Sequence, residues 1–367
     1  MGVTFLVKKP AVPPPGSPPQ LWTWGNNVQG ELGQGDVTPR SSPIQVGSLE
    51  DWESGACGYN FTLSTKTDGT LWAWGQNLFG VLGQGNTTRV SSPVQVGSLT
   101  DWSSIDTGNY HAISVKSDNT LWTWGYNNRG QLGQGDIVHY SSPNQVGSQT
   151  IWSVANAGGE FSVAVRTNGT LWTWGRNNRG QLGHGNITDR SIPIQVGALT
   201  DWSDISCARE NFISIKTDGS LWACGYNGFG GLGDGTVTMR SSPVQIGSLT
   251  DWSKVACGYL HSMAIKSDGT LWAWGYGANG QLGLGNLLHY SSPVQVGSLT
   301  NWNEVGCGER HTIATRTDGT MWTWGDNGFG QLGLGDTTFR TSPVQVGSLT
   351  GWDIVAGGLS TSIVIKG

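Results

Sequence analysis

The pentapeptide Leu21–Gly25, LWTWG, returns as LWAWG at Leu71, LWTWG at Leu121 and Leu171, LWACG at Leu221, LWAWG at Leu271 and MWTWG at Met321. Each copy starts 50 residues after the last, with no insertion or deletion across seven copies. A fixed period of this size means one supersecondary unit stacked on itself, sharing a continuous core with its neighbours. That overrides the two or three separate domains that 367 residues would otherwise suggest.

The segment 252–296 shows the unit most clearly. Trp252–Gly258 is a short apolar strand, and His261–Lys266 is a second. Asp268-Gly269 is a hairpin turn, and Thr270–Gly275 is a third strand with alternating large residues. Tyr276–Gly285 is a glycine-rich turn. Ser292–Val296 is a fourth strand whose proline suits an outer edge. Four short strands per period is the signature of a propeller blade. Six blades are contiguous, at 52–96, 102–146, 152–196, 202–246, 252–296 and 302–346. The repeats begin on a third strand and end on a second. The seventh blade is therefore expected to be composite, with inner strands from 352–366 and outer strands from 21–46. The fold class is all-β, a seven-bladed propeller over residues 21–367.

Residues 1–20 lie outside the repeat. Ala11–Gln20 holds five prolines and reads as a semi-rigid extended arm, expected to dock on a partner. The apolar run Val3–Val7 is too short for a signal peptide, and its lysines follow it. No stretch approaches a membrane span. A cytoplasmic or virion-associated location is expected, with no membrane partner. The net charge is −5 and the basic residues form no run, which points away from nucleic acid. Of five cysteines, Cys57, Cys207, Cys257 and Cys307 share one repeat position and Cys224 stands apart. No CxxC spacing occurs, so the shared position reads as small core residues in a reducing compartment, without a metal.

Taken together, G-x-x-H, D-G-T-L-W-x-W-G, N-x-x-G-Q-L-G and S-P-x-Q-V resemble the regulator of chromosome condensation repeat family, and the likeness runs over residues 21–367. The resemblance implies a seven-bladed propeller with composite closure. Members of the family include a nucleotide exchange factor for a nuclear GTPase, a plant photoreceptor, a secreted enzyme inhibitor and many bacterial and phage proteins, so fold does not fix function. In the family, exchange uses an inserted wedge, and seven uniform periods leave no room for one. Light sensing needs loop tryptophans, and the matching loops here hold none.

The chemistry-bearing motifs read as scaffold. The GQLGQG turns lack the Lys-Ser/Thr and helix of a phosphate loop. His111, His261 and His311 share a position with Phe61 and Phe161, which implies partly buried packing on separate blades. Asp68, Asp118, Asp218, Asp268 and Asp318, with Asn168, occupy hairpin turns. The 20 tryptophans fall on three repeat positions and read as packing between blades. No catalytic set and no cofactor follows, so the chain is expected not to be an enzyme.

Function is sought where the repeat varies. One loop set, after the inner strand, is expected to ring the mouth of the central channel: Tyr59, Asn60, Asn109, Tyr110, Glu160, Arg209, Glu210, Tyr259, Leu260, Glu309 and Arg310. A second follows Trp-Gly: Leu78, Phe79, Tyr126, Arg129, Arg176, Arg179, Tyr226, Phe229, Tyr276 and Phe329. Tyr, Arg and Phe are interface-anchoring types. His139 and His289, each followed by Tyr, read as surface loop residues with contact roles. The expected function is non-enzymatic binding of a protein or glycan, as part of a larger assembly such as a phage tail or fibre. The alternatives are exchange on a small GTPase or inhibition of an enzyme.

Overall fold

The hairpin turns show why the period folds as it does. In a computed structural model that describes residues 19–367, Asp68 Oδ1 accepts from both the amide and the hydroxyl of Thr70. The same hydroxyl accepts from the Trp72 indole at 2.9 Å. Asp-Gly-Thr-x-Trp is therefore one hydrogen-bonded unit, and Asn168 substitutes for aspartate with the same two bonds. The turn residues preset the antiparallel register Thr65↔Leu71.

Seven such four-stranded sheets form, each ordered from inner to outer strand, such as Trp52–Cys57, Phe61–Lys66, Leu71–Gly75 and Val90–Gln95. Blades are numbered here 1 to 6 from residue 52, and the composite blade is 7. In blade 7 the strand Gln20–Gly25 pairs with Thr361–Lys366, and Leu21 lies opposite Ile365. The expected two-plus-two closure is what forms. The outer strand Arg40–Glu50 runs a little longer than expected, with Gln20 opposite Glu50. The fourth strand of the other blades starts two residues earlier than its Ser-Pro, as at Tyr290–Gln295.

The core sits between blades rather than within them. Phe61, Leu63, Leu71 and Leu82 of blade 1 pack on Trp102 and Trp124 of blade 2. A buried tryptophan removes roughly 200 Å² from water, worth about 5 kcal/mol by area. The Trp124 indole donates to the Val81 carbonyl of the blade before it at 2.8 Å. Six blades repeat this bond; Cys224 replaces the tryptophan in the remaining one and directs its thiol to Gly180 O. Gly133 (φ +71) is glycine because a Cβ there would stand 2.9 Å from Trp174 Nε1.

The histidines are more buried than their kinship with Phe suggested. His111, His261 and His311 have at most 1% of their surface exposed. They do not cluster; each bonds the next blade, at Ser162, Thr312 and Ser362. Where Phe holds the position, the neighbour is apolar, as with Phe61 against Ala112 and Phe161 against Phe212.

Two faces result. The first-to-second and third-to-fourth loops share the upper face. The hairpin turns and interblade links share the lower. Pro19 lies below, where its carbonyl accepts from the amides of Asp51 and Trp52. The expected proline-rich arm lies almost wholly outside the described residues.

Candidate functional site

The long upper loop is built on one buried asparagine. Asn27 Nδ2 donates to the carbonyls of Asp36 and Thr38 at 3.2 and 3.1 Å, and Asn127 Nδ2 donates to that of Asp136 at 3.2 Å. Its Oδ1 accepts from the Leu132 amide at 2.9 Å. This explains N-x-x-G-Q-L-G: the amide side chain replaces strand pairing across the loop, and the leucine that follows plugs the core. The fixed loops then hold the varying side chains at set places.

Those places meet in a node at five of the blade junctions. Three positions meet there, equivalent to Phe79 of one blade and Tyr126 and His139 of the next. At the 1–2 junction Phe79 lies 4.7 Å from Tyr126 and 5.0 Å from His139. At the 2–3 junction Arg129 reaches Asp189 at 3.7 Å. At 3–4, Arg179 sits over Tyr226, 5.4 Å from its centroid. At 4–5, Phe229 lies 4.9 Å from Tyr276 and 5.4 Å from His289. At 7–1, Arg89 donates to Gln29. At the 6–7 junction the counterparts of Tyr126 and His139 are Asn26 and Pro39, and Phe329 is 48% exposed.

Phe79 is also strained. Its φ of +61° is in the left-handed region that non-glycine residues seldom occupy, and blades 2 to 7 do not share it. In blades 2, 3, 5, 6 and 7 the equivalent amide donates to a Gln or Glu side chain two residues on. Val81 removes that acceptor in blade 1. Gly231 lacks it too, yet Phe229 keeps the ordinary path, so the missing acceptor permits the flip rather than forcing it. Asn60 beside it has φ +64°, and its carbonyl accepts from the Gln76 amide.

Of the inner loop set, Tyr59, Asn109, Tyr110, Glu160, Arg209, Tyr259 and Glu309 line the channel mouth, a cavity of about 420 Å³, and Asn60, Glu210, Leu260 and Arg310 do not. Tyr59 lies 5.3 Å from Tyr110, and Tyr110 reaches Phe79 at 5.8 Å, so the two loop sets join there. Farther round, Glu160 pairs with Arg176 at 2.7 Å, Glu210 with Arg179 at 3.6 Å and Glu309 with Arg310 at 3.3 Å. The Arg209 guanidinium stands 4.8 Å over Tyr259.

Deeper in, the channel widens to about 690 Å³. Here the cysteine expectation is corrected. Cys57, Cys207, Cys257 and Cys307 border the channel and are only partly covered; Cys224 alone is core. The inner strand is the sheet edge, so its small residues face the axis. Burial holds the Cys57 and Cys257 thiols up at about 12, which keeps them protonated. Asp106 accepts from the Ala157 amide at 2.9 Å, and burial lifts its carboxyl to about 6. Asp204 is lifted to about 7 by burial, with Glu304 adding to the rise and Lys254 opposing it. Lys254 is paired with Glu304. Among the described residues no group of three or more His, Cys, Asp or Glu is placed to hold a metal ion. No helix there is long and apolar enough to cross a membrane.

The sequence had pointed to Phe79, Tyr126, Phe229 and Tyr276 as one variable loop set and, separately, to His139 and His289 as surface loop residues with contact roles. It missed that they meet. The signal was available: Phe, then Tyr 47 residues on, then His 60 residues on, occurs twice.

Four-stranded blades, interblade tryptophans and the composite latch define a seven-bladed propeller of the repeat type. The chain belongs to the RCC1-like domain family, whose model matches residues 17–303. Models of the regulator of chromosome condensation (RCC1) repeat match 302–331 and 318–365. No curated protein matches the sequence. Among solved structures, human WBSCR16 is similar with a TM-score of 0.85 at 22% identity, covering 95% of this chain and 98% of that one. Yeast RCC1 (Prp20), solved bound to Kap60, has a TM-score of 0.85 at 19% identity, covering 95% and 89%. Prp20p from Saccharomyces cerevisiae, described with its binding to Gsp1p and histones, has the same score and identity, covering 95% and 92%. At such identities the likeness is one of fold.

Proposed function

We propose that this protein is a non-enzymatic scaffold that binds a macromolecular partner, a protein before a glycan, through the upper face. One observation carries this. The strands, turns, tryptophans and asparagine hubs repeat almost without change, whereas the junction nodes on one face differ in chemistry from blade to blade. Packing does not require that variety. Aromatic and arginine anchors set around a concave mouth are the composition of protein-binding surfaces. The proteins of like fold include one solved with Kap60 and one described as binding Gsp1p and histones.

Pro19, the first described residue, lies on the opposite face, bonded to the amides of Asp51 and Trp52. We take residues 1–18 as the attachment to a larger assembly, such as a phage tail or fibre, so that the two faces serve two contacts. Cross-linking in the native source, with and without residues 1–18, tests both roles. Truncation should abolish incorporation into particles while leaving upper-face binding intact. Recovery of the full chain only as free monomer overturns the assembly role.

The likeness to Prp20 favours a second reading, exchange on a small GTPase. A nucleotide-release assay over a GTPase panel decides it, and no release is expected because the uniform repeats carry no wedge. Inhibition of an enzyme by the same mouth remains open to the substitutions Tyr59→Ala, Tyr110→Ala and Tyr259→Ala, which should abolish it.

A further inference from the structure

We propose that the upper face carries two equivalent docking points, three blades apart, for a protein that presents two like apolar segments. The proposal rests on the reading of the upper face as the binding face and names what it binds.

The two points are the Phe–Tyr–His nodes at the 1–2 and 4–5 junctions, which share their Tyr–His geometry although the Phe79 backbone is flipped and that of Phe229 is not. The Tyr126 and His139 rings stack at 5.0 Å and 28°; those of Tyr276 and His289 stack at 4.6 Å and 29°. Phe79 and Phe229 both stand edge-on to the histidine. His139 Nδ1 accepts from the Asn127 amide at 3.0 Å, and His289 Nδ1 accepts from the Gly277 amide at 3.1 Å. An amide can only donate, so in both rings the proton is on Nε2, which is left as a donor. The loop before each histidine repeats as well. Blades 2 and 5 carry two aliphatic residues in succession there, Ile137-Val138 and Leu287-Leu288, where the other blades have a threonine in the second place. Val138 is 56% exposed and Leu288 is 62% exposed. Duplication of three ring positions, a tautomer and a flanking exposed pair is more than the repeat demands, because the junctions between them differ.

Charge selects the occupant. Between the nodes, Arg129 pairs with Asp189, Arg176 with Glu160 and Arg179 with Glu210, while Arg209 lies over Tyr259. The nodes themselves consist of Phe, Tyr and a neutral imidazole, so they ask for no net charge from the partner. Each node offers an apolar shelf and one N–H donor. That suits an uncharged segment with an aliphatic or aromatic anchor and a main-chain carbonyl. Two nodes on nearly opposite sides of a seven-blade ring suit a partner bearing two such segments, whose joint binding gains by effective concentration.

The test uses short linear peptides selected by display on the full chain, with the peptide as the calorimetric probe. Expected are uncharged, apolar peptides, two bound per chain, with affinity insensitive to salt. Val138→Glu should remove one site and Leu288→Glu the other. Both positions are exposed, so thermal melts should stay unchanged. A tandem of the peptide should bind roughly 10²–10⁴-fold more tightly than the single copy, and either substitution should erase that gain. Loss of binding on Arg179→Ala or Tyr59→Ala, with the node variants silent, overturns the twin sites but leaves the upper face as the binding face. Loss only on Leu299→Glu, on the lower face, overturns both. Failure to select any peptide, or selective capture of glycans by the nodes, also overturns the proposal.

Discussion

The Trp174 indole donates to the Gln131 carbonyl, 43 residues earlier and one blade away, at 2.8 Å with no exposure to water. Ser162 donates to the same oxygen at 2.9 Å, and His111 bonds the Ser162 hydroxyl. Because that hydroxyl gives its proton to Gln131, His111 Nε2 must be the donor to it. Four residues from two blades thus form one buried hydrogen-bonded chain, and His261 and His311 head equivalent chains.

Trp174→Phe keeps most of the buried area and removes one bond. Ser162 still satisfies the carbonyl, so the cost should be about 1 kcal/mol. Trp174→Ala also opens a cavity, and should cost about 3–5 kcal/mol. Chemical denaturation of the two variants checks the ratio. Equal losses would show that packing alone sets the value of this position.

The histidines make stability depend on pH. Burial lowers His111 and His261 to about 3 and His311 to about 4, against an unfolded value near 6.5. Between these limits the unfolded chain binds three protons that the native chain refuses, so their contribution is complete above pH 6.5 and is lost as pH falls. Asp106 and Asp204, raised to about 6 and 7, act in the other direction: the native chain holds two protons that the unfolded one releases. Their contribution is present at low pH and is lost as pH rises through 6 to 7. Near pH 5 the two sets oppose each other and the histidines, three against two, prevail, so stability should rise with pH there. Replacing all three histidines with Phe, the residue at positions 61 and 161, should flatten that slope. Melting curves between about pH 4.5 and pH 5.5 measure it, with His139 and His184, lowered by burial, adding to the rise and Glu31 and Glu309, raised by burial, opposing it.

Lys116 lies between two indoles, 4.6 Å from the Trp102 centroid and 4.1 Å from that of Trp122, and pairs with Asp101 at 3.2 Å. Across the six contiguous blades, lysine here accompanies Asp51, Asp101, Asp201 and Asp251, whereas Arg166 and Arg316 accompany Ile151 and Asn301. The cation and the acid are chosen together. Lys116→Met should cost about 3 kcal/mol, since it strips a cation–π contact and leaves the acid unpaired. Adding Asp101→Ile should recover part of it. A double-mutant cycle reads the coupling, and strict additivity would refute it.

The fold was legible because its determinants are periodic: Trp-Gly, Asp-Gly-Thr and the terminal phase each carry one local rule. The site was legible only as a set of variable positions. The nodes join residues 47 and 60 apart, across a blade junction, and one-dimensional periodicity does not say which loops abut. The cysteines went astray for a similar reason. A shared small residue fits a core position and an axis-facing position equally well, and only the ring's geometry separates them.

Closure gives the last prediction. Thr361–Lys366 is paired on both sides, with Trp352–Gly357 and with Gln20–Gly25. Trp24 bonds the Gln331 carbonyl of blade 6, as Ser362 does. Removing residues 352–367 therefore unpairs the Gln20–Gly25 strand, takes Ser362 from Gln331 and exposes the apolar flanks of blades 1 and 6 that Ile363 and Val364 cover. The truncated chain should melt earlier and over a broader range, and should associate through its open edges. A peptide of residues 349–367 added in trans should restore the sharp transition in proportion to its concentration. A truncated chain that melts as high and as sharply as the full one would show that six blades close without the latch.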